Sequence, residues 1–307
     1  VIGYAALREA AAWRDVSARG RIRVTGEDRA RLLHAMTTNH VEQLQPGQGC
    51  YAFFLSAQGR VLADVNLFCR PDHFLLDTEP ETADKVREHL DHFIIADDVT
   101  VEDIAAGTVA IAVEGPRAAE ALRKAGAPAP GDEFASELWG ERLVANVSYA
   151  GLPGWLVVAP VGEREDVVGH LKAAGAIAAG DSDFHAVRLE MGRPRYGEDI
   201  GERYLAQETN QLRAIHFQKG CYLGQEIVER VRSRAQIHRL LMPVRIEGAD
   251  VPAPGTKLQA EGRDAAEITS AAYSPALGQV VALAYVRSEH ARPGAVLELA
   301  GRRAVVR

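Results

Sequence analysis

Apolar positions recur along this chain with two different periods, and the period changes where the elements change. Leu32, Leu33, Met36 and Val41 fall on one helical side behind Thr25-Gly-Glu-Asp28. A threonine followed three residues later by an acid has capping-box spacing, so a helix is expected over about Asp28–Asn39. After Pro46-Gly47, the β-rich runs Tyr51–Leu55 and Val61–Phe68 flank Ser56-Ala-Gln-Gly59 and predict a hairpin, with Phe74–Leu76 as a third strand. Thr78 and Glu81 repeat the capping-box spacing ahead of a helix whose face carries Val86, Leu90 and Phe93. Asp84 lies beside that face, in the first turn.

Two strand-then-helix units follow. Val109–Val113 runs through Gly115-Pro116 into a helix with Ala119, Leu122 and Ala125, and Trp155–Val158 runs into one with Val167, Val168 and Leu171. The Pro/Gly-rich stretch 126–131 between them is a loop by composition. From Leu240 the texture changes to short strands divided by Gly and Pro: Met242–Ile246, Thr256–Leu258, Ala266–Thr269, Gln279–Val286 and Ala295–Leu299. Evenly spaced short strands predict a small closed barrel. The organisation is therefore α+β: a body over 1–240, made of two intertwined subdomains split near 105–185, and a barrel over 241–307.

Composition narrows the function classes. With 47% hydrophobic and 25% charged residues, the 307-residue chain folds rather than remaining disordered. A formal net charge of -7 argues against a surface built as a whole for nucleic acid. Cys50, Cys69 and Cys221 are odd in number and lack C-x-x-C spacing, so neither a disulfide framework nor a self-sufficient metal site is written here. A reducing, cytoplasmic setting is expected. No stretch approaches the roughly 20 apolar residues of a membrane span, and no dinucleotide fingerprint, P-loop or H-E-x-x-H pattern occurs.

Three segments carry candidate chemistry. Phe217-Gln-Lys-Gly-Cys-Tyr-Leu-Gly-Gln-Glu226 is a poor core strand and a good turn, because Gly220 and Gly224 let the backbone bend where side chains converge. Lys219 near Cys221 favours a thiolate; the bland alternative is a tight turn around a packed cysteine. Arg188-Leu-Glu-Met-Gly-Arg-Pro-Arg-Tyr-Gly-Glu-Asp199 reads as a strand or a helix start broken at Gly192, or simply as a charged turn. The run Arg230, Arg232, Arg234, His238, Arg239, taken as extended, places several cations on one side for carboxylates or phosphates, although such runs commonly make a wet face.

Together these segments resemble the folate-binding proteins related to the T-protein of the glycine cleavage system, and within them the YgfZ/Iba57 branch implicated in iron–sulfur protein maturation. Lys219-Gly-Cys-Tyr-Leu-Gly-Gln-Glu226 matches the branch's K-G-C-Y-x-G-Q-E signature in full, and the similarity extends over Leu32–Asp64, Gly115-Pro116, Arg188-x-Glu-x-Gly, Tyr196-Gly197 and the barrel. The resemblance implies three domains around a central channel that receives tetrahydrofolate, with the Lys219–Glu226 turn facing it. It implies Cys221 and Lys219 as chemical groups, and Tyr51, Arg188, Glu190, Gly220, Tyr222, Gly224, Gln225, Glu226 and Arg230 as folate contacts. Asp84 has a spacing similar to that of the aspartate that assists methylene transfer in the T-protein; a helix-dipole role is its dull alternative. Two positions depart from the aminomethyltransferases: Leu152 in Ala150-Gly-Leu-Pro-Gly154 replaces a pterin-holding glutamate, and Phe184 replaces an arginine. Such losses cost about 1–3 kcal/mol for each polar group left unpaired. The implied function is a tetrahydrofolate-binding accessory protein for iron–sulfur cluster assembly or repair, acting on iron–sulfur proteins or their assembly machinery and through them on tRNA modification. The alternatives are a folate-dependent aminomethyl transferase and a non-catalytic folate-binding module. Arg230, Arg232 and Arg234 are expected to hold the folate's glutamate tail.

Overall fold

The hairpin around Ser56–Gly59 forms, and it organises the first of two sheets. In the computed structural model, which describes residues 2–234 and 237–307 apart from the Arg234 side chain, strands Gly49–Leu55 and Val61–Cys69 pair antiparallel. Phe74–Thr78, Gly20–Thr25 and Thr100–Asp103 extend the sheet in that order. The helices of the described residues are α1 (Ile2–Glu9), α2 (Arg29–Met36), α3 (Ala83–Phe93), α4 (Ala118–Lys124), α5 (Arg164–Ala173), α6 (Asp181–Glu190) and α7 (Gln225–Arg234).

The two-residue alternation of a strand sorts the sheet's side chains. Ala52, Phe54, Ala63, Val65 and Leu67 pack under α2 and α3 with Leu33, Met36, Val86 and Leu90. Tyr51, Phe53, Leu55 and Phe68 point the other way, into a core shared with Ala110, Ala112, Leu156 and Val158. Those last four belong to a second sheet, in which Thr108–Glu114 lies between Ala12–Asp15 and Gly154–Pro160. Its outer face, Ile111, Val113, Trp155 and Val157, is covered by Leu122 of α4 and by Val168 and Leu171 of α5. The body is thus layered helix, sheet, sheet, helix, and the space between the sheets is available to a site.

Beyond the body, six strands from Arg239–Ile246 to Arg302–Val306 close into a barrel. Val244, Ile246, Leu258 and Ile268 fill its interior, while Leu241, Leu283 and Tyr285 face the body, where the Tyr285 ring stacks on Tyr204 at 3.8 Å.

Local signals were less reliable than the periodicity. Thr25 ends a strand, and Asp28, which precedes α2, makes no side-chain cap; its carboxylate instead accepts the Asp98 N–H at 2.9 Å. Thr78 also ends a strand, so α3 opens through a short 3-10 turn at Pro80–Thr82. Arg188 and Glu190 lie on the last turn of α6. The cations at 230 and 232 lie on helix α7 rather than on an extended segment, and the final strand, Arg302–Val306, had no counterpart in the expected set.

Candidate functional site

A cavity of about 590 Å³ opens between the two sheets and α6, within the roughly 300–1,000 Å³ usual for small-molecule sites. Its floor is written in the register of the first sheet. Tyr51 stands opposite Asn66, and Asn66 opposite Asp77, so one polar row crosses the sheet on its inner face. Asp64, two residues before Asn66, shares that face. The Tyr51 hydroxyl donates to Asp64 Oδ2 at 2.7 Å.

The electrostatics of this floor are uneven. Arg19 forks onto Asp77 at 2.7 and 3.0 Å and also pairs with Glu79, while its guanidinium lies 4.4 Å over the Tyr149 ring. The Tyr149 hydroxyl and the Asn66 amide donate to Asp77 Oδ2 at 2.9 and 2.8 Å. Burial works against the Glu79 carboxylate, but Arg19 and then Arg195 outweigh it and hold its pKa below the usual range. Asp64 has no guanidinium partner among the described residues. Burial, and after it the negative charge of Glu79, pushes it up to about 6. The cavity therefore presents a carboxylate poised to change charge near neutral pH beside carboxylates already neutralised by arginine.

The far wall comes from α6 and the loop after it. Arg188 reaches Asp199 Oδ2 at 2.7 Å and pairs with Glu198; Arg193 and Arg195 follow, and Phe184 lies under Arg14 at 4.3 Å. Asp199 is fully buried and accepts from Thr269 and Ser270 of the barrel, both at 2.5 Å, so the barrel helps to set the position of Arg188.

The signature turn lies elsewhere. Lys219 is buried, and its ammonium donates to the carbonyls of His34, Thr37 and Asn39 at 2.5, 2.6 and 2.8 Å, closing the C-terminal end of α2. Burial lowers its pKa to about 8. Its charge is thus aimed at backbone dipoles, not at the Cys221 thiol. Gly224 has φ +84, and a Cβ there would stand 2.7 Å from the Ser56 carbonyl, so the turn can clasp the hairpin only with glycine at this place. Tyr222 is buried, and Leu223 N–H donates to Ala35 O at 3.0 Å. Cys221 is exposed, whereas Cys50 and Cys69 are buried.

Of the residues expected to meet folate, the structure brings Tyr51 and Arg188 to the cavity. Gly220, Tyr222, Gly224, Gln225, Glu226 and Arg230 do not line it, nor do Lys219 and Cys221, because the turn that carries them covers α2 and the hairpin end. Arg230 pairs with Glu226 at 2.8 Å and Arg232 with Glu229 at 3.6 Å on the outside of α7, and the Arg234 side chain lies outside the described residues. Glu190 also faces away: it accepts from Tyr4 and from Ser274 at 2.6 Å and pairs with Arg8, tying α1, α6 and the barrel together. Asp84 is exposed on α3 beside Arg87 and does not line the cavity, whereas Asp64 does. Leu152 packs with the cluster of Ala6, Leu7 and Phe184, outside the cavity lining. Asp64 and Asn66 escaped the sequence reading although a signal was there: two polar residues at i and i+2 in an otherwise apolar buried strand. The contribution of Arg19, Tyr149 and Arg213 had no such local mark, whereas Arg193 lies within the charged segment Arg188–Asp199. Among the described residues no group of three or more His, Cys, Asp or Glu is arranged to hold a metal ion.

Residues 3–219 match the GCVT N-terminal domain, and residues 239–306 match the glycine cleavage T-protein C-terminal barrel domain. The chain belongs to the glycine cleavage T-protein family. An aminomethyltransferase of Streptomyces coelicolor is 30% identical over 307 residues, covering 95% of this chain and 82% of that protein. A putative chloroplastic transferase of Arabidopsis thaliana is 28% identical over 269 residues, covering 83% of this chain but only 60% of its own longer length. The crystal structure of the glycine cleavage system aminomethyltransferase T from Bartonella henselae superposes with a TM-score of 0.90 over 99% of this chain and 87% of that one at 21% identity, which establishes a shared fold. Enzymes of this family use tetrahydrofolate.

Proposed function

We propose that this T-protein-family chain binds tetrahydrofolate in the cavity between its sheets. The observation that carries the reading is Asp64, a carboxylate on the cavity floor held by Tyr51 and displaced toward neutral pH. The lining fits a reduced pterin: Asp64 and Asn66 offer acceptors for ring N–H groups, Tyr51 and Tyr149 offer aromatic surface, and arginines surround the anion-bearing side. A bound tetrahydrofolate supplies amine nitrogens able to carry a one-carbon unit. Asp64 would orient such an amine and hold or release its proton near pH 6, while Tyr51 fixes the carboxylate's direction. Calorimetric titration with tetrahydrofolate tests this. Binding that weakens at least tenfold in Asp64→Asn supports it, and absence of binding by the unmodified protein ends it.

For the use of that site, our reading is an accessory role in iron–sulfur protein maturation, in the manner of the YgfZ/Iba57 branch. Its support is Cys221, a solvent-facing thiol on a turn whose neighbours Lys219, Tyr222 and Leu223 are all anchored. In a strain lacking the protein, the unmodified gene should restore iron–sulfur enzyme activity and Cys221→Ser should not; full rescue by the serine variant would remove the thiol from the role. A second reading, aminomethyl transfer to tetrahydrofolate, is favoured by the names of the relatives and by Asp64 itself. The family resemblance sets two residues against it, Phe184 and Leu152, at positions it implies to be polar in the transferases; Phe184 lines the cavity, whereas Leu152 packs outside it. Methylene transfer from an aminomethylated carrier protein, assayed directly, separates the two.

A further inference from the structure

Six arginines line the cavity, and five of them already face carboxylates: Arg14 with Asp181, Arg19 with Asp77 and Glu79, Arg188 with Glu198 and Asp199, Arg195 with Glu79, Glu81 and Glu198, Arg213 with Glu133. Arg193 has no carboxylate partner among the described residues. Its one side-chain hydrogen bond there runs from Nη2 to the Ser148 carbonyl at 3.0 Å, which leaves most of its five N–H donors free. Its base is rigid. The Arg193 N–H donates to Arg188 O at 2.7 Å, Arg188 Nη1 donates back to Arg193 O at 3.0 Å, and Pro194 follows.

Arg213 is its neighbour in charge. The Arg213 guanidinium lies 4.6 Å over the Tyr51 ring, and burial, then the positive charge of Arg193, lowers its pKa. Its partner Glu133 is 63% exposed, so that pair is largely screened and leaves the cavity side of Arg213 positive. Two like charges held together at a cavity wall repel one another unless an anion lies between them. Across Tyr51 stands Asp64, so the cavity has an acceptor side and a cationic side.

We propose that Arg193, with Arg213 beside it, seats the carboxylate tail of the cavity's ligand, so that the site selects reduced pterins carrying an anionic tail over tail-free ones. This rests on the tetrahydrofolate reading above, and it moves the tail from Arg230 and Arg232 of α7, which pair with Glu226 and Glu229 outside the cavity, to the loop after α6. A planar guanidinium suits the task because it meets a carboxylate with two parallel N–H donors.

The test is calorimetric titration of the full chain with tetrahydrofolate and with tail-free 6-methyltetrahydropterin, for the unmodified protein, Arg193→Gln and Arg193→Lys. The unmodified protein should bind tetrahydrofolate at least tenfold more tightly than the pterin. Arg193→Gln should shrink that ratio to threefold or less while leaving affinity for the pterin within twofold, and Arg193→Lys should keep an intermediate ratio. If Arg193→Gln does not fold, raising salt from 50 to 500 mM with the unmodified protein should shrink the ratio instead, and a ratio indifferent to salt overturns the proposal. An unchanged ratio in Arg193→Gln, or equal weakening of both ligands, also overturns it. Equal affinity of the unmodified protein for both ligands sinks the anion seat alone, whereas binding of neither sinks the folate reading with it.

Discussion

Asp64 and Cys221 behave oppositely although both were open to a chemical reading from sequence position. The Asp64 pKa rises from 3.8 to about 6, so the folded chain holds that proton more tightly than the unfolded chain does. Charging it therefore costs stability as pH climbs through that window, and no such cost applies below it. Asp64→Asn, which keeps an acceptor for Tyr51, should make the protein about 1–3 kcal/mol more stable at pH 7.5, with the difference vanishing near pH 4, as read from urea denaturation at the two pH values. Cys221, by contrast, is a question of access. The native protein should react with a thiol reagent at one cysteine, Cys221→Ser at none, and denaturation should release the other two, because Cys50 and Cys69 are buried and burial pushes the Cys50 thiol up to about 12. Since Cys221 is exposed, its serine variant should keep its stability within about 0.5 kcal/mol. A larger drop would mean that the turn depends on the sulfur for packing.

At the scale of the element, the Lys219–Glu226 turn is best understood as a cap on α2. A helix ends with carbonyls that have no partner within it, and Lys219 meets those of His34 and Thr37 as well as Asn39. Lys219→Met keeps the apolar stem but removes the donors, and should lower stability by about 2 kcal/mol in denaturant titration. Amide exchange should quicken together in α2 and in the turn, since Leu223 N–H is bonded to Ala35 O. If exchange quickened only around Lys219, the turn and the helix would not be one unit. The same element shows how local signals mislead: Lys219 two residues from Cys221 suggests an activated thiol, but the long side chain reaches backward into the body, a direction that residue spacing does not record.

Over the whole molecule, Asp199 shows how the parts depend on one another. It binds Arg188 of α6, the Arg195 backbone N–H at 3.0 Å, and Thr269 and Ser270 of the barrel, while the Tyr285 hydroxyl donates to its carbonyl at 2.9 Å. Asp199→Ala leaves the Arg188 guanidinium, only 7% exposed, without its buried partner. A loss of about 3 kcal/mol is expected in thermal or urea unfolding. Ligand binding should weaken as well, because Arg188 and the loop bearing Arg193 and Arg195 lose the barrel-side anchor. Retained affinity with reduced stability would show that the barrel supports the fold without setting the site.

The elements were legible in the chain because apolar alternation and helical spacing are local and repeat, and the barrel was legible because Gly and Pro punctuate its strands. Hydrophobic position thus determined the α+β body and the closed barrel, down to the hairpin that carries Tyr51. The Lys219–Glu226 motif was also plain in the sequence, but its place was not. The family resemblance implied that this turn faces the cavity, whereas the tertiary structure turns Lys219 onto α2 and leaves Cys221 in solvent. Only the folded chain decided the site, since Asp64, Arg19, Tyr149, Arg193 and Arg213 are scattered over nearly two hundred residues. Two sheets must pack face to face, and α6 must dock on the barrel, before those side chains converge. Which buried carboxylate meets an arginine, and which does not, depends on distances between elements that no window of the sequence contains.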